Sequence, residues 1–270
     1  MTKRYYLHYI GLIILLAGGF TSCGEYNKVL KSTDANLKYT MSMEYFENGN
    51  YDRALPLFEE LMSLYRGTTK SEKIYFYYAY SNYYMANYYL GSYYFESFVK
   101  TYPTSEFVEE ASFMSGFCDY KSSPKSSLTQ EDTYNAIDNF QNFMNNYPQS
   151  ELVDSCNTLI KEMRIKLEKK AFDSAFLYYK MEEYKSALIS FKDVLKDFPE
   201  SNYKEDVLYW MLVTNYEVAD KSINIRKKER YENTINAYYK FVDSYPESKR
   251  ISSAERYFKL SIKYLDSINT

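Results

Sequence analysis

Histidine is almost missing from this chain: the single copy, His8, stands among the first residues. Beyond it the sequence has neither the usual general base nor the commonest metal ligand, which argues against an enzyme and against any cofactor or metal. Glycine is scarce too, with eight in 270 residues and none after Gly116. Gly-rich phosphate loops and dinucleotide turns are therefore excluded from the second half. Gly49, Gly67, Gly91 and Gly116 are too scattered to build one in the first half. With six prolines as well, tight β-turns are hard to make, and helices are the default. Neighbouring carboxylates such as Glu59 and Glu60 do not supply a hydrolase, because adjacent residues on a helix point apart.

Long apolar runs are absent except for Ile10 to Phe20, which follows Lys3 and Arg4 and is too short to span a bilayer. It reads as a secretory signal over residues 1–22. The small residues of Phe20-Thr21-Ser22-Cys23 end in a cysteine, which resembles the lipobox of bacterial lipoproteins with Phe20 in the usual Leu or Val place. That resemblance implies acylation of Cys23 and a lipid-anchored tether over residues 23–33. Without Lys3 and Arg4 the 33 basic residues become 31 against 36 acidic, a net charge of −5. Such a surface has no general attraction for nucleic acid or anionic lipid, so lipid must do the anchoring, at ~0.8 kcal/mol per buried methylene. The two other cysteines, Cys118 and Cys156, sit 15 and 8 residues past their preceding prolines. On parallel helices that offset is ~10 Å, too far for a disulfide, and two free, buried thiols are expected.

The body of the chain repeats itself. NYDRALPLFEELMSLYR, NYYLGSYYFESFVKTYP, DTYNAIDNFQNFMNNYP, EYKSALISFKDVLKDFP and RYENTINAYYKFVDSYP share one register. It starts on a small residue: Ala54, Gly91, Ala136, Ala187 or Thr234. Four positions on stand Phe58, Phe95, Phe140, Phe191 and Tyr238. Seven on stand Leu61, Phe98, Phe143, Val194 and Phe241, and eleven on Tyr65, Tyr102, Tyr147, Phe198 and Tyr245. Offsets 0, 4, 7 and 11 trace one helical face. Pro103, Pro148, Pro199 and Pro246 then stop the helix, and Ser105, Ser150, Ser201 and Ser248 offer an N-cap to the next one. The expected fold is all-α: a tetratricopeptide-repeat superhelix of about five helix-turn-helix repeats plus a C-terminal helix. Close helix crossing explains the small residue, and core packing explains most of the 34 tyrosines.

The register residues lie 37, 45, 51 and 47 residues apart, longer than a period of about 34, so the later repeats carry insertions. Lys121 to Ser127 is a polar loop. Ser150 to Lys180 has no breaker and predicts one helix of ~45 Å joining repeats 1–3 (residues 34–149) to a C-terminal group (150–270). Asp220 to Arg230 is a third insertion carrying Lys221, Arg226, Lys227, Lys228 and Arg230, either a solvated charge run or a partner-docking patch.

Several local strings bear on identity: YNKVLKS (26–32), YRGTTKSE (65–72), IYFYYAY (74–80) and SP…LTQ (123–130). With the cysteine and the insertions, the mature sequence resembles the BamD family, tetratricopeptide-repeat lipoproteins of the outer-membrane β-barrel assembly machine. The resemblance implies a non-catalytic scaffold, lipid-anchored to the outer membrane and facing the periplasm. Its C-terminal repeats would dock the barrel-forming subunit, and its N-terminal repeats would receive unfolded outer-membrane proteins through an aromatic-ended C-terminal signal. The competing reading is a different periplasmic repeat lipoprotein, an adaptor for a protease or cell-wall enzyme, which co-purifying partners would separate. For client binding, the first helices of repeats 1 and 2 present Tyr39, Met43 and Phe46, then Phe76, Tyr77, Tyr80 and Tyr83. Those rings either line an inner groove or pack into the core.

Overall fold

The face drawn by offsets 0, 4, 7 and 11 is the buried face of five helices. The structure is a computed structural model that describes residues 24–269, which are helical, with short turns and no strand. Residues 24–31 form α1. Each repeat then consists of two helices: α2 (Ala35–Glu47) with α3 (Tyr51–Leu64), α4 (Ser71–Tyr84) with α5 (Tyr88–Thr101), and α6 (Val108–Ser122) with α7 (Glu131–Asn146). The fourth and fifth are α8 (Val153–Lys180) with α9 (Tyr184–Asp197) and α10 (Lys204–Asp220) with α11 (Asn224–Ser244), followed by α12 (Ile251–Asn269). The chain therefore has an all-α tetratricopeptide-repeat fold.

Two compact units result. One runs from α1 to Pro124 and resumes over Glu131–Ile160; the other holds Lys125–Gln130 and the chain from Lys161 onward. The division falls inside α8, not ahead of it, and α8 starts at Val153. In the second unit Lys170 Nζ donates to the Leu128 carbonyl at 2.7 Å, which ties the polar loop to α8.

Small residues set the helix spacing. Ala54, Ala136, Ala187 and Thr234 are fully buried, and so is Gly91 in the packing of α5. A β-carbon on Gly91 would lie 3.0 Å from Cys118 Sγ on α6 and 3.6 Å from the Tyr83 backbone nitrogen on α4. The crossing is thus tight both within a repeat and toward the next one. The first helices carry a matching set of small buried residues: Ser42, Ala79, Gly116, Ala175 and Thr214. Each lies 12 residues before its register partner in repeats 1, 2 and 4, and 20 before it in repeats 3 and 5. The rings at offset 4 fill the space between, with Phe58, Phe95, Phe140 and Phe191 wholly buried.

Helix boundaries follow local chemistry. Asp34 accepts from the backbone N–H groups of Asn36 and Leu37 at 2.9 and 3.1 Å and so caps α2. Ser105, Ser150, Ser201 and Ser248 each accept from the N–H two residues on, at 3.1–3.2 Å. They cap a single lead-in turn, so the α-helices begin three residues after the serines. Pro56 lies inside α3 on the exposed side, where the Asp52 carbonyl that it leaves without a helical donor is open to water.

Within the expected tether, residues 24–31 are a packed helix: in α1 Val29 is buried, and the Tyr26 ring packs edge-on against Tyr45 at 5.7 Å. The basic insertion spans the end of one helix and the start of the next: α10 runs to Asp220 and α11 starts at Asn224, so its cations stand on the corner and first turns of a helix. Cys118 and Cys156 are buried free thiols, as expected. Burial raises Cys118 to about 12 and Cys156 to about 11.

Candidate protein-binding surfaces

The first helices of repeats 1–3 share a band of aromatic rings. Phe46 on α2 meets Tyr77 on α4 edge-on at 4.8 Å, and Tyr51 stacks on Tyr84 at 4.3 Å. Tyr80 and Tyr84 follow at 5.8 Å, and Tyr83 approaches Phe117 on α6 at 6.0 Å. Phe117 in turn lies 5.8 Å from both Phe113 and Tyr120. These spacings fall in the range of favourable ring pairs, so the rings brace one another while keeping one face accessible.

The expected groove residues separate into classes. Met43, Phe46 and Tyr77 are half-buried and border the first core. Tyr39 lies under the Lys70 ammonium, 4.6 Å from the ring centre. Tyr80 forms the floor: its hydroxyl donates to Glu110, and burial followed by Glu110 holds it protonated well above the usual tyrosine range. Tyr83 sits at the edge against Tyr88. Phe76 is a correction. Only 4% exposed, it stacks on Phe107 at 4.6 Å and packs on Phe98, so it belongs to the core of repeat 2. The accessible row on α4 is Tyr77, Tyr80 and Tyr84, spaced 3 and 4 apart, and Phe76 stands one residue, ~100°, away from it.

Sequence reasoning missed Tyr84, which is 49% exposed, and the α6 continuation Phe113, Phe117 and Tyr120. The 4-and-3 spacing on α6 was a usable signal. Also missed was an acidic rim: Glu106, Glu109 and Glu110 border a cleft of about 480 Å³ with Tyr80, Phe113, Met114 and Leu152. Burial raises Tyr77 first, and Glu47 and Glu110 add to the shift, so the rim's charge reaches the rings. Glu60, which shared the paired-carboxylate reading with Glu59, instead accepts from the buried Lys38 at 2.5 Å.

The basic residues of the second unit are only partly gathered. Lys221, Arg226 and Arg230 line a cleft of about 620 Å³ with Glu182, Glu183 and Ile223. Lys221 donates to Glu182 at 2.7 Å and to the Tyr184 hydroxyl at 3.0 Å, which holds it charged above the usual lysine range. Arg230 donates to Ser222 and closes the corner. Lys227 turns to the Tyr264 ring on α12, 5.7 Å away, while Lys228 is exposed. Cys23 lies outside the described residues.

The sequence matches the family model YfiO, described as outer membrane lipoprotein, over residues 31–230. It is similar to the outer membrane protein assembly factor BamD of Pasteurella multocida (strain Pm70). The two are 20% identical over 206 residues, 73% of this chain and 79% of that one. Among solved structures, the TPR2AB-domain:pHSP90-complex of yeast Sti1 matches with a TM-score of 0.40 at 13% identity, over 85% of this chain and 97% of that one.

Proposed function

This chain belongs to the YfiO family of outer membrane lipoproteins, and from that membership we propose that it is a non-catalytic scaffold for assembling proteins into the outer membrane. The family match over residues 31–230, with a relative named for outer membrane protein assembly, carries the reading. In it, Cys23 holds the lipid that fixes the chain to the periplasmic side of the outer membrane. The aromatic band of repeats 1–3 receives unfolded barrel proteins. The corner of α10 and α11, with Lys221, Arg226, Lys227, Lys228 and Arg230, docks the barrel-forming subunit.

The rings suit that task physically. Tyrosine offers a broad apolar face and a polar tip at low entropy cost, and an alternating strand can lay its apolar side chains on such a row. The incoming segment loses conformational freedom, so affinity in the micromolar range is expected. The test changes Tyr77 and Tyr84 together to Ser and measures binding of a peptide that ends in an aromatic residue. Binding should weaken with helical content unchanged; unaltered binding by the folded variant would place the client site elsewhere.

A further inference from the structure

Repeats 2, 4 and 5 share one small constellation on their first helices, and repeat 3 departs from it. A serine in the lead-in turn reaches back to a glutamate one repeat earlier: Ser150 to Glu109 at 2.5 Å, Ser201 to Glu168 at 3.1 Å and Ser248 to Glu205 at 2.6 Å. The residue after that glutamate, the aromatic three further on, and the residue two past the serine then form a set. In repeat 2 these are Lys73, Phe76 and Phe107, and the two rings stack at 4.6 Å. In repeat 4 they are Lys169, Phe172 and Tyr203, again stacked, at 5.0 Å. Repeat 5 has Asp206, Tyr209 and Arg250: the guanidinium pairs with Asp206 at 2.5 Å and lies over the Tyr209 ring at 4.9 Å. A cation in the set thus goes with a stacked ring, and an anion goes with an arginine.

Repeat 3 has Glu110, Phe113 and Leu152. It keeps the carboxylate and the ring, but an aliphatic residue stands where Arg250 stands in repeat 5. The same three residues line the acidic cleft, whose charged lining, completed by Glu106 and Glu109, is entirely negative. Glu109 is engaged by Ser150 and Glu110 accepts from the Tyr80 hydroxyl through one carboxylate oxygen, while Glu106 and Glu110 both remain exposed to an incoming cation. Helix dipole alone accounts for carboxylates in a first turn, but not for the loss of the arginine that accompanies one in repeat 5.

We propose that this cleft binds the guanidinium or ammonium group of an incoming unfolded segment, seated between Glu110 and the Phe113 ring with Glu106 beside it. The inference rests on the client-binding reading and deepens it: the favoured client is an aromatic segment with an Arg or Lys near its rings. Charge complementarity and a cation–π contact both act in this position, and Arg250 provides the template within the same chain.

Three C-terminally amidated peptides, identical except for Arg, Leu or Glu at one position beside two aromatics, would be titrated into the detergent-solubilised full chain. The Arg peptide should bind roughly tenfold tighter than the Leu peptide at low salt, and the Glu peptide weakest. The Arg preference should vanish in Glu110→Gln, which removes the charge but keeps a side-chain oxygen to accept from Tyr80. It should also vanish in Leu152→Arg, where the chain supplies its own guanidinium. Equal binding of the Arg and Leu peptides to the wild type, still dependent on Tyr77 and Tyr84, would overturn this proposal and leave the client groove standing. A preference that persists in Glu110→Gln would overturn it too, and failure of all three peptides to bind would remove the client reading beneath it.

Discussion

At Ala86 the backbone is left-handed, with φ at 59°, five residues before the register glycine Gly91. Gly49 holds the same place in repeat 1 with φ at 75°, and Glu182 holds it in repeat 4 with φ at 61°. One turn geometry therefore recurs wherever a repeat has no insertion between its two helices, and only repeat 1 fills it with the residue that adopts it without strain. An L-residue there costs roughly 1–2 kcal/mol, part of which glycine returns as unfolded-state entropy. Ala86→Gly should stabilise the protein by about 1 kcal/mol, seen as a melting temperature higher by roughly 2–4 °C. A lower melting temperature would show that the turn is not strained.

Among the elements, α11 is the one whose composition opposes its own dipole. Its first turn has no acidic residue, while Arg226, Lys227 and Lys228 crowd the positive end. Each such cation costs a few tenths of a kcal/mol. Lys228 and Arg226 are exposed, and Arg226 has only a 3.5 Å contact with Glu229 to compensate. Ile223, at the N-cap, and Ile225 are 71% and 86% exposed beside them. Stability does not explain this corner, whereas the docking role proposed for it would. Changing Arg226 and Lys228 to Glu should leave melting unchanged or raise it, yet weaken co-purification of the barrel-forming subunit, most clearly at low salt. Undiminished co-purification would mark the corner as ordinary solvated surface.

On the scale of the whole molecule, attachment and folding are separable. α1 packs on the first repeat through Val29 and Tyr26, and the Arg53 guanidinium lies over the Tyr26 ring at 5.6 Å. In the proposed function the lipid on Cys23 only locates the chain. Cys23→Ala should lose incorporation of labelled palmitate and move the protein from the membrane to the soluble fraction, with its helical content intact. Equal labelling of the variant would refute the anchor. Among the described residues no helix is long and apolar enough to cross a membrane.

The sequence alone determined the helices, their register and the small residues at their crossings. Those features are written locally: a 3.6-residue period in the rings, a proline stop and a serine restart all lie within one turn of the place where they act. Pairs such as Ala79 with Gly91, 12 residues apart, could have been read the same way. Only the tertiary structure decided which rings face outward. Phe76 and Tyr77 are neighbours, yet the first is sealed by Phe107 of the next repeat and the second is left half-open beside Phe46 of the previous one. It also decided that residues 24–31 fold back as a helix, that the basic run is a helical corner, and that Leu152 stands beside Glu110 and Phe113. Each outcome depends on partners in another element. A helix turns ~100° per residue, so the sequence specifies which residues share a face, but what covers that face is set by the helix packed against it.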